Sequence, residues 1–253
     1  MKLLHDTRLL FSRSMRATWR SPAWVIIGIF QPICYMLLYA PLFNRLTHVP
    51  GFPPGNAFQV FTPGVLVMLG MFSATFVGYD LIFELRAGVI ERLRVTPVSR
   101  LALLLGPTLR DVVNLLVQSL LLLLVAWLLG LKASPAGVLL VFGLQILMGL
   151  LMASCSYGLA LTIKDVNAMA SIIQTFILPV MLLSGIILPM ELAPPIIHDI
   201  ADANPFFYAV EAARALFHGA IGDAAVWHGF VIMAVIALLA MFWAARSFRQ
   251  AVA

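Results

Sequence analysis

Residues 83–100, FELRAGVIERLRVTPVSR, hold six charged side chains in eighteen positions. Glu84, Arg86, Glu91, Arg92 and Arg94 lie close enough on one helix to offer acids and bases to a single partner surface, which is ion-pair chemistry rather than bond making. A second constellation has nucleophilic potential: Ser184 precedes Gly185, and His198, His218 and His228 follow, the makings of a serine–histidine dyad. LLSG lacks the small residue usual before an intramembrane serine nucleophile, and Ser–Gly also serves close helix packing, so an intramembrane serine hydrolase is the lesser alternative. Asp111, Asn114 and Gln118 recur at helical spacing beside Arg110 and form a polar stripe. That stripe faces either a solute or a partner, or it is an ion pair at the interface with two amides satisfied by neighbours. Glu211 and Arg214, three apart, pair as a gate contact or, more simply, as a modest surface pair. No G-x-x-x-x-G-K-[ST] run occurs, so the chain lacks that cradle for nucleotide phosphates. Cys34 and Cys155 read as small packing residues, and with no Cys/His cluster at ligand spacing no metal site is expected.

The elements that must position these groups follow from composition. The 253 residues are 62% apolar and 11% charged, with a mean hydropathy of +1.01, beyond the range of soluble domains. A bilayer core takes about 20 apolar residues per helix, and six windows fit: 24–43, 58–79, 112–131, 136–162, 168–188 and 226–245. The runs are continuous without period-two alternation, which excludes a β-barrel and predicts an all-α integral membrane protein with six transmembrane helices. The first run is too long for a cleaved signal core and is expected to stay as the first helix. Residues 1–253 thus read as one transmembrane domain.

Charge sets the sidedness. Lys2, Arg8, Arg13, Arg16, Arg20, Arg86, Arg92, Arg94, Arg100, Lys164, Arg246 and Arg249 fall on one side of the six-span frame, against Arg45, Lys132 and Arg214 on the other. Both termini are therefore expected in the cytoplasm, with the chain multi-pass in the inner (plasma) membrane. The net charge of +5 follows from that asymmetry and from anionic lipid, and no nucleic-acid partner is expected. In residues 1–22, Leu3, Leu4, Leu10, Phe11, Met15 and Trp19 share one helical arc and Lys2, His5, Arg13, Arg16 and Arg20 the other. This predicts an amphipathic helix on the inner interface.

The charged block is amphipathic too. Ile82, Phe83, Leu85, Val89, Ile90 and Leu93 share a face opposite Glu84, Glu91, Arg92 and Arg94, predicting a helix over 80–97 that Pro97 ends. Arg86 falls inside the apolar arc, so it snorkels, pairs with Asp80 or Glu84, or marks a break at Gly88. ELRAGVIERLRVTPVSR resembles the cytoplasmic signature of permease subunits of the type-2 exporter superfamily of ABC transporters. FTPGVLVM resembles the start of that family's second helix, and SGIILPMELAPPIIHDIADANPFFYAVEAAR its outer re-entrant region. The likeness covers essentially the whole chain and is closest to daunorubicin-type drug-export permeases.

The resemblance implies a six-helix half with a connecting helix at 1–22, a coupling helix at 80–97 and re-entrant helices at 189–222. It further implies that Glu84, Arg86, Gly88, Glu91, Arg92 and Arg94 contact a separate cytoplasmic ABC ATPase subunit, which binds ATP and magnesium; this chain itself is expected to hold no cofactor and to be no enzyme. A second permease copy (homodimer) or a sister permease completes the route, amid membrane lipids. The implied activity is ATP-driven export of a hydrophobic or amphipathic drug, antibiotic or lipid, the alternative being a lipid-linked glycan or polysaccharide. Phe72 and Phe76, with Asp111, Asn114, Gln118, Glu211 and Arg214, are the candidate pathway or gate residues, though helix packing accounts for the aromatics equally well. Asn204 and Pro205 suit the start of a helix that Gly219 ends. Pro32 and Pro179 are expected kink points. The pairs Gly149/Ala153 and Ser154/Gly158 offer close helix approach.

Overall fold

The computed structural model describes residues 2–20, 23–46, 57–75, 77–88, 100–187, 190 and 193–251. Its helices, in chain order, are α1 (Lys2–Arg20), α2 (Ala23–Leu46), α3 (Ala57–Ser73), α4 (Val77–Arg86), α5 (Arg100–Leu128), α6 (Pro135–Ile163), α7 (Val166–Leu182), α8 (Pro195–Ala201), α9 (Pro205–Phe217) and α10 (Ala224–Ala251). No strand occurs among the described residues. Among the described residues four stretches are long and apolar enough to cross a bilayer: Phe58–Arg86, Ala102–Leu128, Pro135–Ile163 and Ala224–Gln250. At 1.5 Å per residue the 29-residue Pro135–Ile163 helix is about 43 Å long, more than the roughly 30 Å hydrocarbon core. Two shorter apolar stretches, Ile27–Leu38 within the 24-residue α2 and Val166–Leu182 of α7, overlap the first and fifth expected spans.

Two boundaries differ from the sequence reading. α5 starts at Arg100, twelve residues before the expected span, because the charges of Arg110 and Asp111 are neutralised by each other and do not end the helix. The second expected span is two helices: α3 stops at Ser73, a turn follows at Ala74–Thr75, and α4 continues from Val77. α4 ends at Arg86. Ala87 and Gly88 form a turn, with Gly88 at φ 66°, a conformation glycine adopts without Cβ strain. The described part of the expected 80–97 helix is therefore the end of α4; residues 89–99, with Glu91, Arg92 and Arg94, lie outside the described residues.

α6 is the axis of the bundle: α10 packs along it, and α5, α4, α3 and α9 each touch it. Lipid tails are as apolar as leucine, so close van der Waals packing rather than water exclusion must hold such helices together. The small residues of α6 serve that end. Gly149 lets the Val112 and Leu115 side chains of α5 within 3.1 and 3.2 Å of where a methyl would sit, and Gly158 receives the Trp243 ring of α10. At Gly137 the α6 backbone meets the Leu216 carbonyl of α9 with no room for a Cβ. α1 lies against α5, with Leu10 and Phe11 over Gly106, while Leu3, Leu4 and Leu9 stay exposed. α9 is part of the core: Ala209, Val210, Ala212, Ala213 and Leu216 are fully buried against α3, α6 and α10.

Candidate functional site

α4 is ten residues long, yet its charged side chains reach three other elements. Glu84 approaches Arg13 of α1 at 3.9 Å, Asp80 approaches Arg110 of α5 at 3.7 Å, and Arg86 pairs with Asp165 in the α6–α7 turn at 3.2 Å. Arg86 thus pairs with neither Asp80 nor Glu84; its carboxylate comes from seventy-nine residues away, and it also donates to the Lys164 carbonyl. Asp165 has a second task as N-cap of α7, accepting from the Ala168 amide at 2.8 Å. That amide, the Asn167 amide and Arg86 hold its carboxyl below the usual aspartate range. The mixed-charge face therefore ties α4 to three neighbours, through exposed ion pairs to α1 and the α6–α7 turn and through the largely buried Arg110 of α5.

Asp111 sits deeper, 5% exposed, where Arg110 pairs with it at 2.6 Å and the Tyr157 hydroxyl of α6 donates to it at 3.2 Å. The polar stripe is thus an ion pair at its Asp111 end. Of its other members Asn114 is half-buried and Gln118 buried, its amide lying over Gly28 of α2. Phe72 packs on the main apolar core, which matches the packing reading; Phe76 lies outside the described residues.

The break between α3 and α4 is satisfied by one side chain that sequence reasoning passed over. Ser156 of α6 accepts the Gly78 amide at 2.8 Å and donates to the Thr75 carbonyl at 2.6 Å. Irregular backbone at membrane depth persists where protein satisfies its polar groups in this way. Tyr157, the next residue, holds Asp111. The sequence signal for both is slight: two polar residues, in SY, among the small residues of the fourth span.

At the opposite end of the bundle, Arg214 of α9 is 6% exposed, which corrects the expectation of a surface pair. Its guanidinium pairs with Glu211 at 2.7 Å, donates to the Gly185 carbonyl at 2.6 Å and reaches the Val60 carbonyl of α3 at 3.4 Å. Planar fork donors suit three acceptors from three segments. Asn204 caps α9, accepting from the Phe206 amide at 3.1 Å, and Pro205 occupies the first turn. Before it α8 exposes Ile196, Ile197 and Ile200. Ser184 is fully buried and its hydroxyl donates to the Met181 carbonyl. His198 pairs instead with Asp202, and His218 ends α9, so no serine–histidine dyad is formed among the described residues.

Apolar helices of spanning length, with buried polar ties between them, define a helical membrane protein. The chain belongs to the ABC-2 type transporter family, whose model matches residues 5–218. It is similar to proteins named putative transport permease ycf38. That of Pyropia yezoensis is 26% identical over 148 residues, 58% of this chain and 50% of the relative. That of Cyanophora paradoxa is 29% identical over 117 residues, 46% of this chain and 40% of the relative. The chain spans half the length or less of these curated relatives. The family is one of membrane transport permeases, whose members typically work with an ATPase partner.

Proposed function

We propose that this chain is the membrane-embedded half of an ATP-driven exporter, moving a hydrophobic or amphipathic solute out of the cytoplasm or the inner leaflet. A separate cytoplasmic ABC ATPase with its ATP and magnesium would supply the energy, and a second permease copy or a sister chain would complete the route. The observation that carries the reading is the wiring of α4. One short helix, continuous with the charged block at 83–100, pairs with α1, α5 and the α6–α7 turn at once. A push on that block therefore reaches three elements, two of them through exposed ion pairs that exchange at little cost. The Ser156-bridged break gives α4 a hinge against α3, so α4 swings while α3 stays packed.

The solute class follows from the exposed apolar surface of α7, where Ile172, Phe176, Leu178 and Leu182 alternate with Ser171 and Thr175. A surface of aliphatic and aromatic groups with scattered hydroxyls suits an amphipathic molecule or the matching face of a second permease. The basic end, with Arg13, Arg16 and Arg20 exposed on α1, suits the anionic inner face of the plasma membrane, which supports an orientation with both termini in the cytoplasm.

The test is co-purification and reconstitution with a cytoplasmic ABC ATPase that binds it, reading ATP hydrolysis and solute efflux together. The reading requires hydrolysis stimulated by amphipathic solutes, and severalfold less solute moved per ATP on charge reversal at Arg86. Assembly and transport unaffected by reversing both Glu84 and Arg86 would refute it.

A further inference from the structure

We propose that Asn204 and Arg214 are gate-positioning residues: they clasp the C-terminal end of α7 onto α9 and α3, and release of that clasp opens the route at this end of the bundle. The inference rests on the permease reading. Of the long helices α7 is the least enclosed, packing chiefly on α6 and leaving Phe176, Leu178 and Leu182 exposed. Pro179 interrupts its hydrogen-bond ladder one turn before the end.

What fixes that end is polar and comes from α9. The Ser184 amide turns to the Met181 carbonyl, which leaves the Val180 carbonyl without its helical donor; the Asn204 side-chain amide fills the vacancy at 2.7 Å. Arg214 donates to the Gly185 carbonyl five residues on, where Gly185 turns the chain at φ 72°. The same guanidinium reaches Val60, and Gly64 of α3 lies so close to the Ile186 carbonyl that no side chain fits between them. The N-cap and one side chain of α9 thus hold two carbonyls, five residues apart, in the last turn of a poorly enclosed helix and the turn that follows it.

Two features make the clasp releasable. Carbonyls freed at this depth must find new donors, so the clasp opens only as water enters, which joins gate opening to wetting of the exit. Arg214 keeps Glu211 on its own helix three residues away, so its charge stays compensated after Gly185 is let go. The positions of α7 and α9 can then change without stranding a bare cation.

The test uses the full chain with its ATPase partner in proteoliposomes. Ser184→Cys, in a background of Cys34→Ser and Cys155→Ala, reports exposure of the clasped end to a membrane-impermeant maleimide. Asn204→Ser keeps an acceptor for the Phe206 amide but loses the donor to Val180; Arg214→Lys keeps the charge and the Glu211 pair but cannot serve both carbonyls. Each should raise the nucleotide-free labelling rate by about fivefold, the effect of one lost hydrogen bond, while basal ATP hydrolysis persists and transport per ATP falls. Parent-like labelling in folded Asn204→Ser protein would overturn the clasp, and that variant decides alone if Arg214→Lys fails to fold. Absence of nucleotide-driven transport in the parent would instead refute the permease reading, with the labelling comparison still reading the clasp.

Discussion

Arg86 and Asp165 have half-exposed side chains, so solvent screens their ion pair, which adds little to stability and owes its importance to where it lies. Arg86→Glu should leave the thermal midpoint nearly unchanged in detergent while severalfold less solute moves per ATP; adding Asp165→Arg should restore coupling. Failure of that second substitution to rescue, measured by efflux, would assign Arg86 another partner. Asp111 predicts the opposite pattern. It is buried and holds both Arg110 and Tyr157, so Asp111→Asn should lower stability by about 1.5–3 kcal/mol, read as a drop in thermal midpoint. Asp165 adds a pH dependence whose sign is fixed. Its carboxyl is held below the ordinary value of 3.8, so its contribution is full above that value and is lost as pH falls through the lower folded value. Asp165→Asn, which retains a capping acceptor, should flatten the acid limb of the stability profile.

α6 and α9 meet backbone to backbone, and this contact makes the sharpest prediction about elements. Gly137→Ala would drive a methyl into the Leu216 carbonyl, so the two helices must separate, and the folded yield and thermal midpoint should fall. A midpoint equal to the parent's would show that the contact is looser than described. Ser156→Ala should cost about 1–3 kcal/mol by orphaning the Gly78 amide and Thr75 carbonyl, and it should loosen α4 against α3, seen as faster amide exchange at Gly78. These contacts also show what could be read from the chain alone. Continuous apolar runs showed that the chain is helical and where its long apolar helices lie, and Asn204–Pro205 marked the start of α9, because capping and hydrophobicity are local properties. The break at Ala74–Thr75 was not legible: its cause is a serine eighty-one residues away that offers the backbone an alternative partner. The burial of Arg214 was hidden for the same reason, since its acceptors are carbonyls of other segments and leave no mark in side-chain pattern. The same holds for Arg86, whose awkward place on the apolar arc signalled a partner without identifying Asp165.

For the whole molecule, one long central helix carries contacts from both ends: Ser156 and Tyr157 toward the charged end, Gly137 against α9 toward the clasped one. A displacement received by α4 therefore has a packed path along α6, and rigid helices with close contacts pass it on rather than absorb it. α7, with its exposed apolar face and polar clasp, is the element free to respond. The central claim is that this chain forms the route while a separate ATPase drives it, and reconstitution tests it most directly. In proteoliposomes of defined composition, an amphipathic fluorescent solute should move only when the partner ATPase, ATP and magnesium are all present, and not when the partner cannot hydrolyse ATP. Equal movement by the permease chain alone, without nucleotide, would contradict the account.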